Sequence, residues 1–574
     1  MKQMRDSGLG VPARRLAVAL SACTPRSFLA AGYPLQSLTR NALVLLVACF
    51  SSLKSTGQFQ LEWAAEYVHA PNHIHTGLDM HVDPNGAVYL YGYSRSDAGV
   101  NTGILLKNVA GEWVWSLELP IQNIYGSMCV DHSGNLLIST SASAPSIGEH
   151  YRTMKVSPDG VILWTADFDG GVIPDGGDRP YAVAIGPDNS VFVTGWSEVV
   201  PFQHNAVTVK YDSLGNELWH VHYDHVQGDG TSEQGNAVLT DASGNVYVIG
   251  QTHDPSAEVY YLFALKYSES GTLQWEYLHP GGTFTDGRRA VWRPDGTIAI
   301  GGAYYVDGQG DLLCDVLDTA GTLQWSSTYD APGDWQGTDW FRDIAIDGDG
   351  SVLLTGTQFN GSGIHDDYLT LKYNATGDLL WARSYNGSTG HDDGYGITVD
   401  DQGSVFVTGR SRQNSSSVLA SIATMQYDAE GNLIWSGIYD EEGEGWYRPN
   451  WECSVSRAID GKLVVAGAQE NSGIGGTGAL VLLSYGIQTS VTERTTNSFL
   501  VYPNPCNGSV NLNIPCTGQF AWIIYDPASR PCRRGNATNC GFSTLLLRNL
   551  TPGIYVLKID ALDYHVSQLL IIEP

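Results

Sequence analysis

The densest chemistry in this 574-residue chain lies in six segments that each follow a recurring tryptophan. They read DFDGGVIPDGGDRP (167–180), YDHVQGDGTSEQG (223–235), TFTDGRR (283–289), DAPGDWQGTDWFR (330–342), YNGSTGHDDGYG (385–396) and DEEGEGWYRPNW (440–451). Indole rings, guanidinium groups and carboxylates among glycines can stack on sugar rings or grip a peptide. The candidate ligand contacts are Trp335, Trp340, Arg342, Trp446, Arg448, Trp451, Arg179, Arg288 and Asp392. The competing use of the same side chains is to pack over strand ends. Loops on a rigid scaffold carry function disproportionately, which keeps the binding reading in play.

Catalytic patterns are weak by comparison. GIGGTG (473–478) matches a dinucleotide fingerprint in form, but ALVLLSY follows it, a strand rather than the helix such a site requires. DGDGS (347–351) has calcium-like carboxylates without the glutamate that closes an EF-hand loop. DHS (131–133) is a turn. His69, His73 and His75, and His220, His222 and His225, could supply nitrogen ligands, although packed or solvated histidines are the commoner outcome. P-loop, HExxH and nucleophile-elbow motifs do not occur. The expectation is therefore no catalytic residue, no metal and no cofactor.

These segments hang on a repeat. Gly-x-x-x-Trp recurs at Gly111/Trp115, Gly160/Trp164, Gly215/Trp219, Gly271/Trp275, Gly321/Trp325, Gly377/Trp381 and Gly431/Trp435, with Trp spacings of 49 to 56 residues. An Asn, Asp or Ser three residues before each Gly opens a turn that the Gly closes. A second turn, Asp-x-x-Gly at Asp83, Asp131, Asp241, Asp347 and Asp400, precedes strands such as VYVIG and VFVTG. Two hairpins per unit make four strands, the size of a propeller blade. The last unit ends at LLSYG (482–486) without its Trp strand, and GQFQLEW (57–63), ending in Trp63, stands in phase at the other end. The reading is an all-β fold: a closed β-propeller of eight four-stranded blades, with seven as the alternative. Trp63, Trp115, Trp164, Trp219, Trp275, Trp325, Trp381 and Trp435 would pack blade against blade.

The units, for example AVTVKYDSLGNELW (206–219) and ITVDDQGSVFVTG (397–409), resemble the bacterial repeat of the seven-bladed β-propeller family over about residues 58–486. YNATGDLLW (373–381) also resembles the tryptophan-docking element of quinoprotein dehydrogenases. Both resemblances imply a fold and no activity. The quinoprotein alternative lacks an adjacent cysteine pair, and a glycan-active hydrolase or lyase has no pair of acids that stands out.

Residues 498–574 form a second unit behind a polar linker, 488–497, and their short strand-like segments suit a small Ig-like β-sandwich. Tyr502, Pro503, Asn504 and Pro505 with Gly508, then IIYDPASRPCRRG, then LTPGIYVLKI with Gly553 and Tyr555, resemble the C-terminal sorting domain of the type IX (Por) secretion system. That resemblance implies the type IX machinery as a partner and a place on the cell surface or outside it. Cys506, Cys516, Cys532 and Cys540 would suit one or two disulfides, in any of three pairings.

Residues 1–57 read as a leader: Arg40 precedes the apolar run Ala42 to Phe50, too short to span a bilayer. Cleavage is expected between about Ala48 and Gln58, with lipid attachment at a cysteine as the alternative. The remaining 58–497 holds 19 Lys/Arg against 55 acids, a net of −36 within a chain total of −29. Such a surface repels nucleic acid and anionic membranes and favours a soluble monomer. The functional expectation is a non-catalytic, surface-displayed or secreted propeller that binds a glycan or protein through one loop face.

Overall fold

The computed structural model describes residues 59–70, 73–119, 126–144, 148–170, 176–200, 203–225, 232–306, 308–331, 337–361, 366–387, 390–412, 420–439, 454–457, 461–469, 478–487, 500–502, 509–514, 520–526, 530–537, 541–547, 550–561 and 565–572. All regular structure among them is strand, and none of it is a helix long and apolar enough to cross a membrane. The leader, the linker, Trp335, Trp446, Arg448, Trp451, Pro503, Asn504, Pro505 and Gly508 lie outside the described residues.

Strands group in fours, each group an antiparallel run in chain order. The groups span 73–119, 126–168, 178–223, 234–278, 284–329, 340–385 and 392–439, and are called here the first to seventh sheets. The fourth and fifth sheets touch through one parallel pairing, Tyr260 with Phe284. An eighth sheet is assembled from both ends of this region: Ser454–Arg457, Leu463–Gln469 and Ala479–Ile487 are completed by Phe59–Tyr67, in register from Phe59↔Ile487 to Tyr67↔Leu480. The first strand of each sheet touches the first strands of the sheets before and after it, and that of the eighth touches that of the first.

The core follows this order. Apolar clusters sit between consecutive sheets; Phe192 and Phe263 meet between the third and fourth, Leu353 and Val407 between the sixth and seventh. One cluster joins Phe406 and Trp435 to Phe59 and Val465, and another joins Val464 and Leu482 to Leu90 and Ile104, so the eighth sheet is buried on both faces. β-Branched and aromatic residues on both faces explain the near-continuous apolar strands.

The repeated Trp has a defined seat. Trp164 Nε1 donates to Ser213 O in the next sheet at 3.1 Å, and Trp115, Trp219, Trp275, Trp325 and Trp381 do the same to Pro158, Glu269, Thr319, Ala375 and Ala429. Each indole lies on the turn glycine of that next sheet. A Cβ on Gly431, at φ 78°, would come within 2.6 Å of the Trp381 ring, so only glycine fits both the turn and the ring. Trp63 takes the same seat against Gly111 of the first sheet. Trp435 instead packs between Phe59 and Tyr485.

A lysine opposite the Trp shares its acceptor. Lys107, Lys155, Lys210 and Lys266 pair across strands with Trp115, Trp164, Trp219 and Trp275, and each Nζ reaches the same carbonyl as its Trp. Where the fifth sheet has Val316 opposite Trp325, Arg293 supplies the missing donor to Ala375 O at 2.9 Å.

Residues 500–572 form two further sheets. One pairs Leu500–Tyr502, Ser509–Ile514 and Gly541–Leu546; the other runs Pro531–Ala537, Phe520–Tyr525, Gly553–Ala561, His565–Ile572. Leu512 and Leu545 from the first join Phe520, Ile524, Tyr555, Leu557 and Leu570 from the second in one cluster. Cys532 is exposed and free, and Cys506, Cys516 and Cys540 lie outside the described residues.

Candidate binding site at the inner strands

Six of the first strands carry a β-bulge at the same place. Register slips between Gly77 and Asp79, Pro180 and Ala182, Gly235 and Ala237, Gly287 and Arg289, Phe341 and Asp343, and Gly394 and Gly396. The extra residue has no partner across the ladder, so a bulge re-aims one side chain without disturbing the rest of the strand. Those residues are Leu78, Tyr181, Asn236, Arg288, Arg342 and Tyr395.

Three of them are neighbours on the fifth, sixth and seventh sheets. The Arg288 guanidinium lies 5.8 Å from the centre of the Trp340 ring, and that of Arg342 lies 5.1 Å from Tyr395. Trp340 is 42% exposed, the rest of its surface being covered. Arg288 Nε donates to Asp286 at 2.8 Å, while Asp286 accepts from the Ala303 amide at 2.9 Å. Arg410 pairs with Asp393 through two nitrogens, and Asp393 also accepts from Thr357 Oγ1. Arg342, surrounded by protein and facing the like charges of Arg288 and Arg410, has its pKa pulled down, burial being the larger cause. Cations over aromatic faces and fixed carboxylates hold this cluster in one arrangement.

One residue further along, Asp79, Arg289 and Asp343 form a second layer. Asp79 accepts from the Met128 amide at 2.9 Å and Asp343 from the Ile397 amide at 3.0 Å, each tying its sheet to the next. Burial pushes both carboxyls upward, and Arg289 opposes it. Both keep part of their surface open and Arg289 is exposed, although all three sit on inner strands.

The other candidates are placed differently. Arg179 donates to Glu149 at 2.9 Å and lies 5.1 Å from the Trp196 ring, which rests against His204 at 4.5 Å. This aromatic group belongs to the third sheet and is separate from the Arg288 cluster. Asp392 is fully buried and accepts from the Gly387 and Arg412 amides. It belongs to a repeated column, His75, Asp178, Glu233, Thr285, Asp339, Asp392, of buried polar residues. Asp178 takes the Gly170 amide at 2.7 Å, and Asp339 takes Ala331 and Phe359. In the third, sixth and seventh sheets the column pins the segment that enters the sheet.

Repeat alignment supplies a signal that loop composition does not. Tyr181, Asn236, Arg288, Arg342 and Tyr395 occupy the same bulge position in their sheets, and the residue type there changes from sheet to sheet. Trp196, His204, Asp393 and Arg410 gave no sequence signal, because their proximity comes from cross-strand pairing. The histidines have protein partners: the His69 amide donates to His75 Nε2, His73 bonds Ser94, His220 pairs with Glu217 and His225 with Glu276. Asp347 of DGDGS accepts the amides of its own turn and pairs with Lys372 at 2.6 Å.

The buried column gives the fold a pH dependence. Burial pushes Asp178 and Asp339 up to about 6 from 3.8. A raised carboxyl favours the folded state fully below its unfolded pKa, and this contribution is lost as pH rises through about 6. Carboxyls held below the usual range, such as Asp131 and Asp241, act below about pH 4 and leave this window alone. Between pH 7.5 and pH 5 each of these two groups adds about 1.4 kcal/mol of stability, against which His75 of the same column, its pKa lowered by burial from 6.5 to about 4, costs stability over the same fall in pH. Asp178→Asn and Asp339→Asn should each lose, relative to the parent, the extra stability at pH 5 over pH 7.5 in calorimetry; variants whose pH profile matches the parent's would contradict the assignment.

Comparison with known proteins places one part of the chain. The family described as the secretion system C-terminal sorting domain matches residues 500–573. No curated protein matches the chain. Among solved structures, polysaccharide lyase Uly1 is similar at a TM-score of 0.40 and 12% identity, over 75% of this chain and 100% of that one. The β-propeller domain of the trilobed protease from Pyrococcus furiosus, described as having an open velcro topology, is similar at 0.37 and 9%, over 63% and 96%. A protein of unknown function from Dyadobacter fermentans is similar at 0.33 and 13%, over 57% and 98%. With its sorting domain at 500–573, the protein is secreted and attached to the cell surface through the type IX system.

Proposed function

We propose that residues 58–487 are a closed eight-bladed β-propeller, completed by Phe59–Tyr67, that works at the cell surface as a non-catalytic binding protein for an extracellular glycan. The observation that carries this reading is the convergence of Arg288, Trp340, Arg342, Tyr395 and Arg410 from three consecutive sheets. Guanidinium groups beside a half-exposed indole suit a sugar, which offers an apolar ring face and hydroxyl acceptors together. The segments richest in aromatic and charged residues enter the sheets beside these strands.

A glycan and peptide array probed with the full mature protein tests it. Trp340→Ala is expected to weaken the leading glycan at least about tenfold, as loss of a central aromatic contact does, with little change in melting. Binding that ignores Trp340, or peptides bound in preference to glycans, would overturn the reading.

An enzymatic reading has one observation in its favour, the raised carboxyls of Asp79 and Asp343 on inner strands. Each accepts a backbone amide of the neighbouring sheet, which is a structural use. Release of shortened products from a bound glycan, abolished by Asp79→Asn, would favour it.

A further inference from the structure

We propose that the binding face extends beyond Trp340 as a row of aromatic rings across the fourth and fifth sheets, built for a neutral, linear oligosaccharide that lies along several rings at once; this rests on the glycan-binding reading above. The row consists of His253, Tyr260, Phe284 and Tyr305. They sit near the ends of four strands that lie side by side, Val246–Asp254, Val259–Tyr267, Phe284–Trp292 and Ile298–Val306. His253 stacks on Tyr260 with ring centres 4.3 Å apart, Tyr260 lies 5.0 Å from Phe284, and Phe284 meets Tyr305 edge-on at 5.0 Å. Backbone pairing holds the rings in line. His253 faces Tyr260 and Phe284 faces Tyr305 directly across their ladders, and the parallel pairing of Tyr260 with Phe284 carries the row from one sheet to the next. All four residues are partly exposed.

Packing does not require rings at these places. The cross-strand pair equivalent to His253–Tyr260 is Arg95–Asn101 in the first sheet, Ser143–Glu149 in the second and Glu198–His204 in the third. The place of Phe284, three residues before the bulge pair begins, is taken by Gly177 in the third sheet and by Thr338 in the sixth. The fifth sheet is shaped around its own ring. A Cβ on Gly310, directly opposite Tyr305, would come within 2.6 Å of that ring, so only glycine leaves room for it. Gly310 in turn bridges to Thr338, two residues before Trp340, which brings the row to the indole already described. Rings placed where the fold accepts polar and small side chains serve the surface rather than the core.

The chemistry of the row selects the ligand. Phenol hydroxyls and imidazole nitrogens beside ring faces match a sugar, whose apolar face is bordered by hydroxyls. With strands spaced about 4.8 Å apart, the row spans about 14 Å before it reaches Trp340, so a ligand that uses all of it is elongated. Arg288, the cation beside Trp340, is paired with Asp286 at 2.8 Å. A chain of net charge −29 repels an anionic polymer, and a neutral one meets no such repulsion.

The test uses the full mature protein in calorimetry with gluco-, manno- and xylo-oligosaccharides of two and six units, and with a polyuronate of six. In the series that binds, the six-unit sugar is expected to bind at least about tenfold tighter than the two-unit one, because it reaches more of the aromatic contacts. Tyr260→Asn and Phe284→Thr introduce the residue types that the first and sixth sheets carry at these places. The double variant should melt near the parent and bind the six-unit sugar no better than the two-unit one. Equal affinity at both lengths, still dependent on Trp340, overturns the row and leaves the glycan reading standing. Tighter binding of the polyuronate overturns the neutral ligand. A double variant that unfolds identifies the rings as core and overturns the row as well. Binding of no sugar overturns both readings.

Discussion

A chain lacking residues 59–67 is expected to lose most of its thermal stability and to self-associate. The strand pairs along its length with Ala479–Ile487, so its removal leaves that strand with a row of unpaired backbone groups. It also withdraws Phe59 from contact with Phe406 and Trp435, and Trp63 from its seat on Gly111. Each large aromatic lost from such a position costs about 3–5 kcal/mol, and two are lost at one seam. The pairing of Phe59 with Ile487 suggests a control that a general destabilisation would fail. Moving residues 59–67 to follow Ile487 through an Asp-x-x-Gly turn, with 500–574 left off both chains, makes the eighth sheet a continuous four-stranded run like the others. Melting of the permuted chain should return close to that of the parent. A deletion variant that melts like the parent and stays monomeric would refute the seam.

What the sequence made legible is local chemistry that repeats. The Gly-x-x-x-Trp unit could be read because the turn needs a left-handed glycine and the indole needs a flat seat, and both demands fall within five residues. Completion of the last unit by GQFQLEW followed from phase alone. The Lys–Trp pairs were not legible, since Lys155 and Trp164 meet only once the hairpin closes, and Arg293 replaces the lysine from a different turn. The candidate site divides the same way. Trp340, Arg288 and Arg342 stood out by composition, and the structure brings them together. Asp392 stood out for the same reason and is a buried clasp, because composition cannot tell a loop acid from one spent on backbone amides. Tyr395 and Arg410 complete the cluster through a bulge and a cross-strand pair, which are properties of register rather than of any single segment.

Export and folding are expected to separate cleanly. A chain ending at residue 499 should melt as the parent does in its larger transition, yet be absent from the cell surface in protease-shaving and antibody-labelling assays. The basis is that the sorting domain has its own core: Leu512, Phe520, Ile524, Leu545, Tyr555, Leu557, Ile559 and Leu570 cluster together, and none of them belongs to the clusters between the eight sheets. So small a domain has only a few kcal/mol to spare. Tyr555 is 8% exposed and its hydroxyl donates to Thr551 O at 2.9 Å. Tyr555→Ala removes about 3–5 kcal/mol of buried aromatic contact, enough to unfold the address while the propeller stays intact. Tyr555→Phe keeps the ring, loses one hydrogen bond of about 1 kcal/mol, and should still reach the surface. Full surface display of the Tyr555→Ala chain would mean that the machinery reads residues 500–573 as an extended segment rather than as a folded pair of sheets.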